Sequence, residues 1–397
     1  MMQHDSRILQ RRFDLDWLRV IAIFMVFVFH SSRFFDTYDW HVKNATTYEW
    51  VQLWTMFQSN WGMPLIFVIS GASIFFSVGK IGKFINSKTL RLLIPLIVGI
   101  FTHVSIAVYL ERRTHYQFFG SFFQFIPKYF QGLYPVGNFA WMGLHLWYLL
   151  VLFIFSLLFL PLFYMLKDCW KNFLGWLGNL FAFPGMIYSL AIPVILPILL
   201  INPNTLLGGR NWGGWSLPAY IPFFIYGFLI ISHEGLQKRI KEYCWLSLIL
   251  AVTCVASLVF VYNLFGEPYF STWKYTLIFS LFGLNAWLWV LTIVGFGMRY
   301  LNFYKPILFY ANEAVLPFYI LHQTVLLIIG YYVTRWQIPD LGKFVIIASI
   351  SFMFIMVLYE FLIRRVNILR ILFGMKVRAK TQAATAPIPT QVDLKPF

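Results

Sequence analysis

Four ionisable side chains lie inside long apolar runs of the sequence: Arg19, His30, Glu313 and His322. On insertion scales, a charged group at the centre of a bilayer costs about 2.5–3.5 kcal/mol, so such residues are retained where they have a polar partner or line a pathway. These four are therefore the first candidates for chemistry.

Arg19 and His30 are predicted to share one face of a helix. Eleven residues at about 100° each bring the chain about 20° past three full turns, with a rise of about 16.5 Å. Arg19 alone could reach the headgroups, and His30 alone could cap a helix. Together they favour a polar path, in which a guanidinium holds phosphate or carboxylate and an imidazole takes a proton from an alcohol.

Other polar residues could complete such a site. Glu313 is a natural carboxylate to orient His30, although the sequence does not prove that pairing. Lys88 and Arg91 lie three residues apart and either bind a nucleotide phosphate or follow the positive-inside rule. Ser70 as a nucleophile is the weaker alternative, because no Gly-x-Ser-x-Gly elbow surrounds it.

Composition assigns these residues to a membrane protein. Of 397 residues, 60% are apolar, 12% are charged and 21% are aromatic. The formal charge of +16 comes mostly from segments predicted to be cytoplasmic, so nucleic-acid binding is not expected. Three cysteines without a CxxC pair predict neither a disulfide framework nor a metal site. No Walker A loop or HExxH motif is present.

Runs long enough to cross a bilayer predict an all-α integral membrane protein, a bundle of about ten transmembrane helices with both termini cytoplasmic. A cytoplasmic segment 1–13 precedes a transmembrane domain 14–375, and the tail 376–397 is predicted to be disordered. The predicted spans are 15–34, 61–79, 90–110, 145–166, 180–201, 217–232, 245–264, 274–297, 309–333 and 343–363.

Several motifs occur in an order that resembles the membrane-bound acyltransferase 3 family over about 13–375. They are Asp16-Trp17-Leu18-Arg19 followed by His30, Phe67-Val68-Ile69-Ser70-Gly71, Lys88-Thr89-Leu90-Arg91 before Pro95, His145-Leu146-Trp147-Tyr148-Leu149, and Phe318-Tyr319-Ile320-Leu321-His322. Trp40-His41-Val42, Tyr220-Ile221-Pro222-Phe223-Phe224 and Leu358-Tyr359-Glu360 look most like the branch of the glucan biosynthesis succinyltransferase.

The resemblance implies transfer of an acyl group, acetyl or succinyl, from cytoplasmic acyl-CoA to a hydroxyl of an extracytoplasmic carbohydrate. His30 would be catalytic, and Arg19 would support the donor site. Acyl-CoA would be a co-substrate, with no permanently bound cofactor. Lys88 departs from the Arg-x-x-Arg pair frequent in the family, which keeps the charge but loses bidentate recognition of phosphate.

The protein is predicted to lie in the plasma membrane, and the resemblance implies a bacterial inner membrane. Its predicted site has three parts. The catalytic residues are His30 and Glu313, the donor-binding residues are Arg19, Lys88 and Arg91, and the substrate-binding residues are Trp147, His322 and Ser70. Direct attack by the acceptor and an acyl-enzyme intermediate both remain open. The rival class is a multi-pass transporter or flippase for a polar or lipid-linked substrate. The oligomeric state is not predicted.

Overall fold

The computed structural model describes residues 12–378, and its regular elements there are helices. Helical backbone satisfies its own hydrogen bonds, which the interior of a bilayer requires. The predicted segments 1–13 and 376–397 lie almost wholly outside the described residues. The helices are α1 (Phe13–Ser32), α2 (Glu49–Ser77), α3 (Ile81–Lys88), α4 (Ile94–Phe101), α5 (His103–Thr114), α6 (Phe122–Tyr129), α7 (Trp147–Leu158), α8 (Leu160–Lys167), α9 (Lys171–Ala182), α10 (Ala191–Leu200), α11 (Tyr220–Ser232), α12 (Glu234–Glu242), α13 (Cys244–Phe265), α14 (Trp273–Tyr300), α15 (Pro306–Val333), α16 (Asp340–Leu358) and α17 (Asn367–Leu372).

The number of membrane crossings is bounded by helix length and hydropathy. Across residues 12–378, six helices are long and apolar enough to span, and three bent pairs raise the total to nine if each pair is one span. The helix α1, predicted as the first span, is not among them. The all-helical membrane class is therefore confirmed, whereas the count of about ten and the cytoplasmic termini stay predictions.

The bent pairs differ from the straight spans predicted there. Instead of one helix over 180–201, α9 and the Met186–Leu200 segment meet at 114°. Pro184 and Gly185 separate them, and the φ angle of Gly185 is +81°. The 145–166 segment bends by 50° next to Pro161, which has no N–H for the helix ladder.

The helix α2 packs against α11 almost backbone to backbone. A Cβ atom on Gly71 would lie 1.8 Å from the carbonyl oxygen of Phe224, and one on Gly227 would lie 1.9 Å from that of Val68. Only glycine permits this approach. The helix α2 also packs against α1, which in turn packs against α15.

Buried charges hold the loop 33–48 against the end of the bundle. Asp36 is fully buried and accepts hydrogen bonds from Arg33 and Lys43. Asn44 and Tyr48 both donate to Asp340 at the start of α16, at 3.0 and 2.8 Å. A loop fixed in this way positions Trp40 and its neighbours relative to α1.

Candidate active site

His30 lies near the end of α1 and contacts His322 of α15. The Nδ1 atom of His30 is 3.1 Å from Nε2 of His322 and 2.9 Å from the carbonyl oxygen of Val26. His322 is 1% exposed, so this contact is shielded from water. The structure thus brings together two of the four ionisable residues singled out in the sequence.

The hydrogen bonds assign the tautomers of both imidazoles. Nδ1 of His322 is 2.6 Å from the carbonyl oxygen of Tyr319, which only accepts, so Nδ1 carries the hydrogen. Nε2 of neutral His322 is then an acceptor, and Nδ1 of His30 donates to it and to Val26. Nε2 of neutral His30 therefore keeps its lone pair, as a general base requires.

His30 lines a cavity of about 80 Å³ that also contacts Trp147, His145 and Gln58. We name it the His30 cavity. The ring of Trp40 is stacked against His30, with centroids 6.1 Å apart. His145 lies 5.0 Å from His322 and 6.5 Å from His30 between ring centroids. Trp147, predicted to bind substrate, therefore shares the cavity with the base.

Arg19 lies at the other end of α1, in a hydrogen-bonded cluster. It donates to Asp16 and Asn312, both at 3.1 Å, and to the hydroxyl of Ser73 at 2.8 Å. Asn312 donates to the same oxygen of Asp16 at 2.8 Å. The carboxylate largely balances the charge of Arg19 and holds its guanidinium towards a second cavity.

The second cavity, of about 200 Å³, is lined by Arg19, Lys88 and Arg91 together with Ser70 and Tyr148. We name it the Arg19 cavity. Arg91 lies in the π-helical turn Thr89–Leu93, just before Pro95. Pro95 has no N–H for the carbonyl of Arg91, which favours this wider turn. The three predicted donor-binding cations are thereby brought to one cavity.

The electrostatic character of the Arg19 cavity is positive. Within residues 12–378, neither Lys88 nor Arg91 forms an ion pair, although the ammonium of Lys88 lies 5.2 Å from the ring of Phe84. With Arg19 paired to Asp16, two uncompensated positive charges remain at the wall. Such a wall is suited to a multiply charged anion.

Ser70 also lines the Arg19 cavity and shares a hydrogen bond with the hydroxyl of Tyr148. Among residues 12–378, its hydroxyl forms no hydrogen bond to an imidazole. Ser70 and Trp147, predicted together as substrate-binding residues, therefore line different cavities.

Glu313 does not orient His30. Its carboxylate accepts from Arg370 at 2.7 Å, from Tyr359 at 3.2 Å and from Arg364 at 3.4 Å. The predicted pairing with His30 is therefore absent, because three donors from the C-terminal part of the chain hold Glu313. His322, which we predicted to bind substrate, occupies the orienting position instead.

Near the His30 end, a buried contact between His41 and Glu111 ties the loop 33–48 to α5. His41 contacts Glu111, which also accepts from Tyr134 at 3.2 Å. Burial acts to raise the pKa of Glu111, but the hydrogen bond and charge of His41, with Arg112 and Tyr134, outweigh it and hold that pKa below its ordinary value of 4.5. Glu111 is therefore ionised at neutral pH and fastens the loop that carries Trp40.

Tyr319, Asn312 and His145 were not singled out by reasoning from residue type. His145 is typical of an interfacial anchor in sequence, whereas its Nε2 donates to the carbonyl of Ile320 at 3.1 Å in the interior. Shared motifs are the sequence signal that could have found two of them. Tyr319 lies in the same motif as His322, and His145 lies in the same motif as Trp147.

Comparisons with known proteins give the same motifs a wider context. A family model described as an acyltransferase domain matches residues 12–360. Proteins named "Glucans biosynthesis protein C" from Salmonella paratyphi A, Salmonella agona and Salmonella dublin are each 27% identical over 399 residues, covering 95% of this chain and 98% of each relative. No solved structure matches the chain significantly.

Proposed function

The chain belongs to the acyltransferase 3 family and is a multi-pass membrane acyltransferase of the non-aminoacyl class, and we propose that it moves an acetyl or succinyl group from cytoplasmic acyl-CoA to a hydroxyl of an extracytoplasmic glycan. The bacterial inner membrane is the proposed location. The relatives' name favours a glucan acceptor.

The observation that carries the proposal is a pair of cavities at opposite ends of α1. One has three cations at its wall, and the other has the unprotonated nitrogen of His30. The estimated rise of about 16.5 Å from Arg19 to His30 is comparable with a pantetheine arm of about 15–20 Å. A donor held by its phosphates at Lys88 and Arg91 would therefore extend its thioester towards His30.

The cations act first in this mechanism, by binding. Lys88 and Arg91 supply charge for the nucleotide phosphates, and Arg19, fixed by Asp16 and Asn312, presents its guanidinium at the same wall. Binding far from the reacting carbon holds the thioester in place and reduces the entropic cost of the encounter.

His30 then acts as the base. Nε2 takes the proton of the acceptor hydroxyl while the alcohol oxygen attacks the thioester carbon, the C–S bond breaks, and the sulfur of CoA receives the proton from His30. His322 stabilises the resulting imidazolium by accepting from Nδ1, as a positioning residue. Trp40 and Trp147 provide flat aromatic faces beside His30 that suit the apolar face of a sugar ring.

The test uses purified full-length protein in detergent, with radiolabelled acetyl-CoA and succinyl-CoA and a glucan oligosaccharide. We expect free CoA and labelled glycan in equal amounts from the wild type, and neither from His30→Ala. Tyr226→Phe, which alters a buried tyrosine away from both cavities, is the control for handling and folding. Full transfer by a well-folded His30→Ala protein would refute the role of His30.

A further inference from the structure

Tyr319 is the residue that the two cavities have in common. It lines the Arg19 cavity beside Tyr148 and Ser70, and it also lines the His30 cavity beside His145. Its side chain is buried, with 5% exposed. Its ring centroid is 6.0 Å from that of Tyr148 on one side and 5.8 Å from that of His145 on the other. An acyl group passing between the cavities would have to pass this ring.

Two hydrogen bonds attach Tyr319 to the His30 end. Its hydroxyl donates to the carbonyl oxygen of His145, and its own carbonyl accepts from Nδ1 of His322. Pro317 lies two residues earlier in α15 and cannot donate to the helix ladder, so the backbone there has one restraint fewer. The ring is thus fastened by a single hydroxyl on a helix that is locally weakened.

We propose that the side chain of Tyr319 is a partition that separates the acyl thioester from His30 and limits its loss to water. This rests on the proposed function, because it assumes a thioester in the Arg19 cavity and a base in the His30 cavity. With the partition open and no acceptor present, a water oxygen attacks the thioester carbon and His30 takes the water proton. The C–S bond breaks, CoA sulfur receives that proton, and the free acid leaves.

The experiment measures CoA release by the purified full-length protein with acetyl-CoA or succinyl-CoA and no glycan, alongside transfer with glycan. Tyr319→Phe keeps the ring and removes the hydroxyl that fastens it. A buried neutral hydrogen bond corresponds to a population ratio of about two- to tenfold, so acceptor-independent CoA release should rise by about that factor. Tyr319→Ala, which removes the ring, should release still more.

Tyr226→Phe is a matched control, since the hydroxyl of Tyr226 also donates to a backbone carbonyl, that of Leu190 at 2.9 Å, and Tyr226 lines neither cavity. It should leave CoA release unchanged. The double variant Tyr319→Phe with His30→Ala should fall to the level of His30→Ala, because the leak requires the base.

The outcomes separate this proposal from the function on which it rests. If the wild type transfers acyl groups but Tyr319→Phe releases CoA without glycan at the wild-type rate, the partition is refuted and the function stands. Increased release that persists without His30 refutes the partition as well. If the wild type neither transfers nor releases CoA with either donor, the proposed function falls, and the partition falls with it.

Discussion

The two uncompensated cations of the Arg19 cavity give a prediction whose size follows from their surroundings. A hydrogen bond to a charged partner is worth about 1.5–3 kcal/mol when desolvated. Arg91 is exposed and Lys88 half-buried, so screening reduces each to about 1–2 kcal/mol. Arg91→Ala or Lys88→Ala should therefore raise the KM for acyl-CoA about five- to thirtyfold and leave kcat nearly unchanged.

The assay compares acyl-CoA with acyl-pantetheine, which carries the same thioester without the nucleotide phosphates. Neither substitution should change the KM for acyl-pantetheine, because its phosphate partner is missing. Lys83→Ala is the matched control, since this exposed lysine lies on the same short helix α3 and lines neither cavity. An equal rise in KM for acyl-CoA and acyl-pantetheine would refute the assignment of Lys88 and Arg91 to the phosphates. A rise in the KM for acyl-CoA after Lys83→Ala equal to that after the other two substitutions would also refute it.

Three further predictions concern the base, the helix packing and the loop. His322→Phe should lower kcat about 10²–10³-fold with KM little changed, because the imidazolium of His30 loses the acceptor at Nδ1 that stabilises it. His322→Gln, which can still accept, should lose less. Equal kcat in the wild type and both variants would contradict this. Gly71→Ala should destabilise the protein by about 1–3 kcal/mol or more in thermal unfolding, since the new methyl group meets a backbone carbonyl. Gly175→Ala, which has open space around it, should be tolerated. Equal melting temperatures of the two variants would contradict this. Glu111→Gln should lower stability at pH 7. Because the folded pKa of Glu111 lies below 4.5, the stabilisation by its carboxylate is present above that pH and is lost as pH falls through the lower folded value. The difference in melting temperature between wild type and variant should therefore shrink from pH 7 to pH 4, and a constant difference would argue against stabilisation by an ionised Glu111.

The sequence predicted what depends on composition and helical periodicity. The placement of Arg19 and His30 on α1, and the closeness of Lys88 to Arg91, follow from spacing within single segments. The gathering of Lys88 and Arg91 with Arg19 at one cavity joins distant segments, and it was expected only from the family resemblance. The membrane class follows from apolar content, and the family resemblance from motifs that keep their order.

Other features depend on contacts between distant segments, which no spacing encodes. Glu313 has the chemistry to orient His30, but arginines some 50–60 residues later hold it instead, at sequence separations of 51 and 57. Tyr319 lies between the cavities only because α15 packs beside α1. Pro161 and Gly185 are residue types that favour bends, but the apolar runs around them favoured straight spans.

The most direct test of the proposed function asks whether an acyl group passes from the Arg19 cavity to His30 and emerges on the opposite side of the membrane. Proteoliposomes of known protein orientation would contain glucan oligosaccharide inside and receive radiolabelled acyl-CoA outside. The account predicts labelled glycan inside and free CoA outside in equal amounts when Arg19 faces the added donor, and none with His30→Ala. Labelled glycan only when donor and acceptor share one compartment would contradict it.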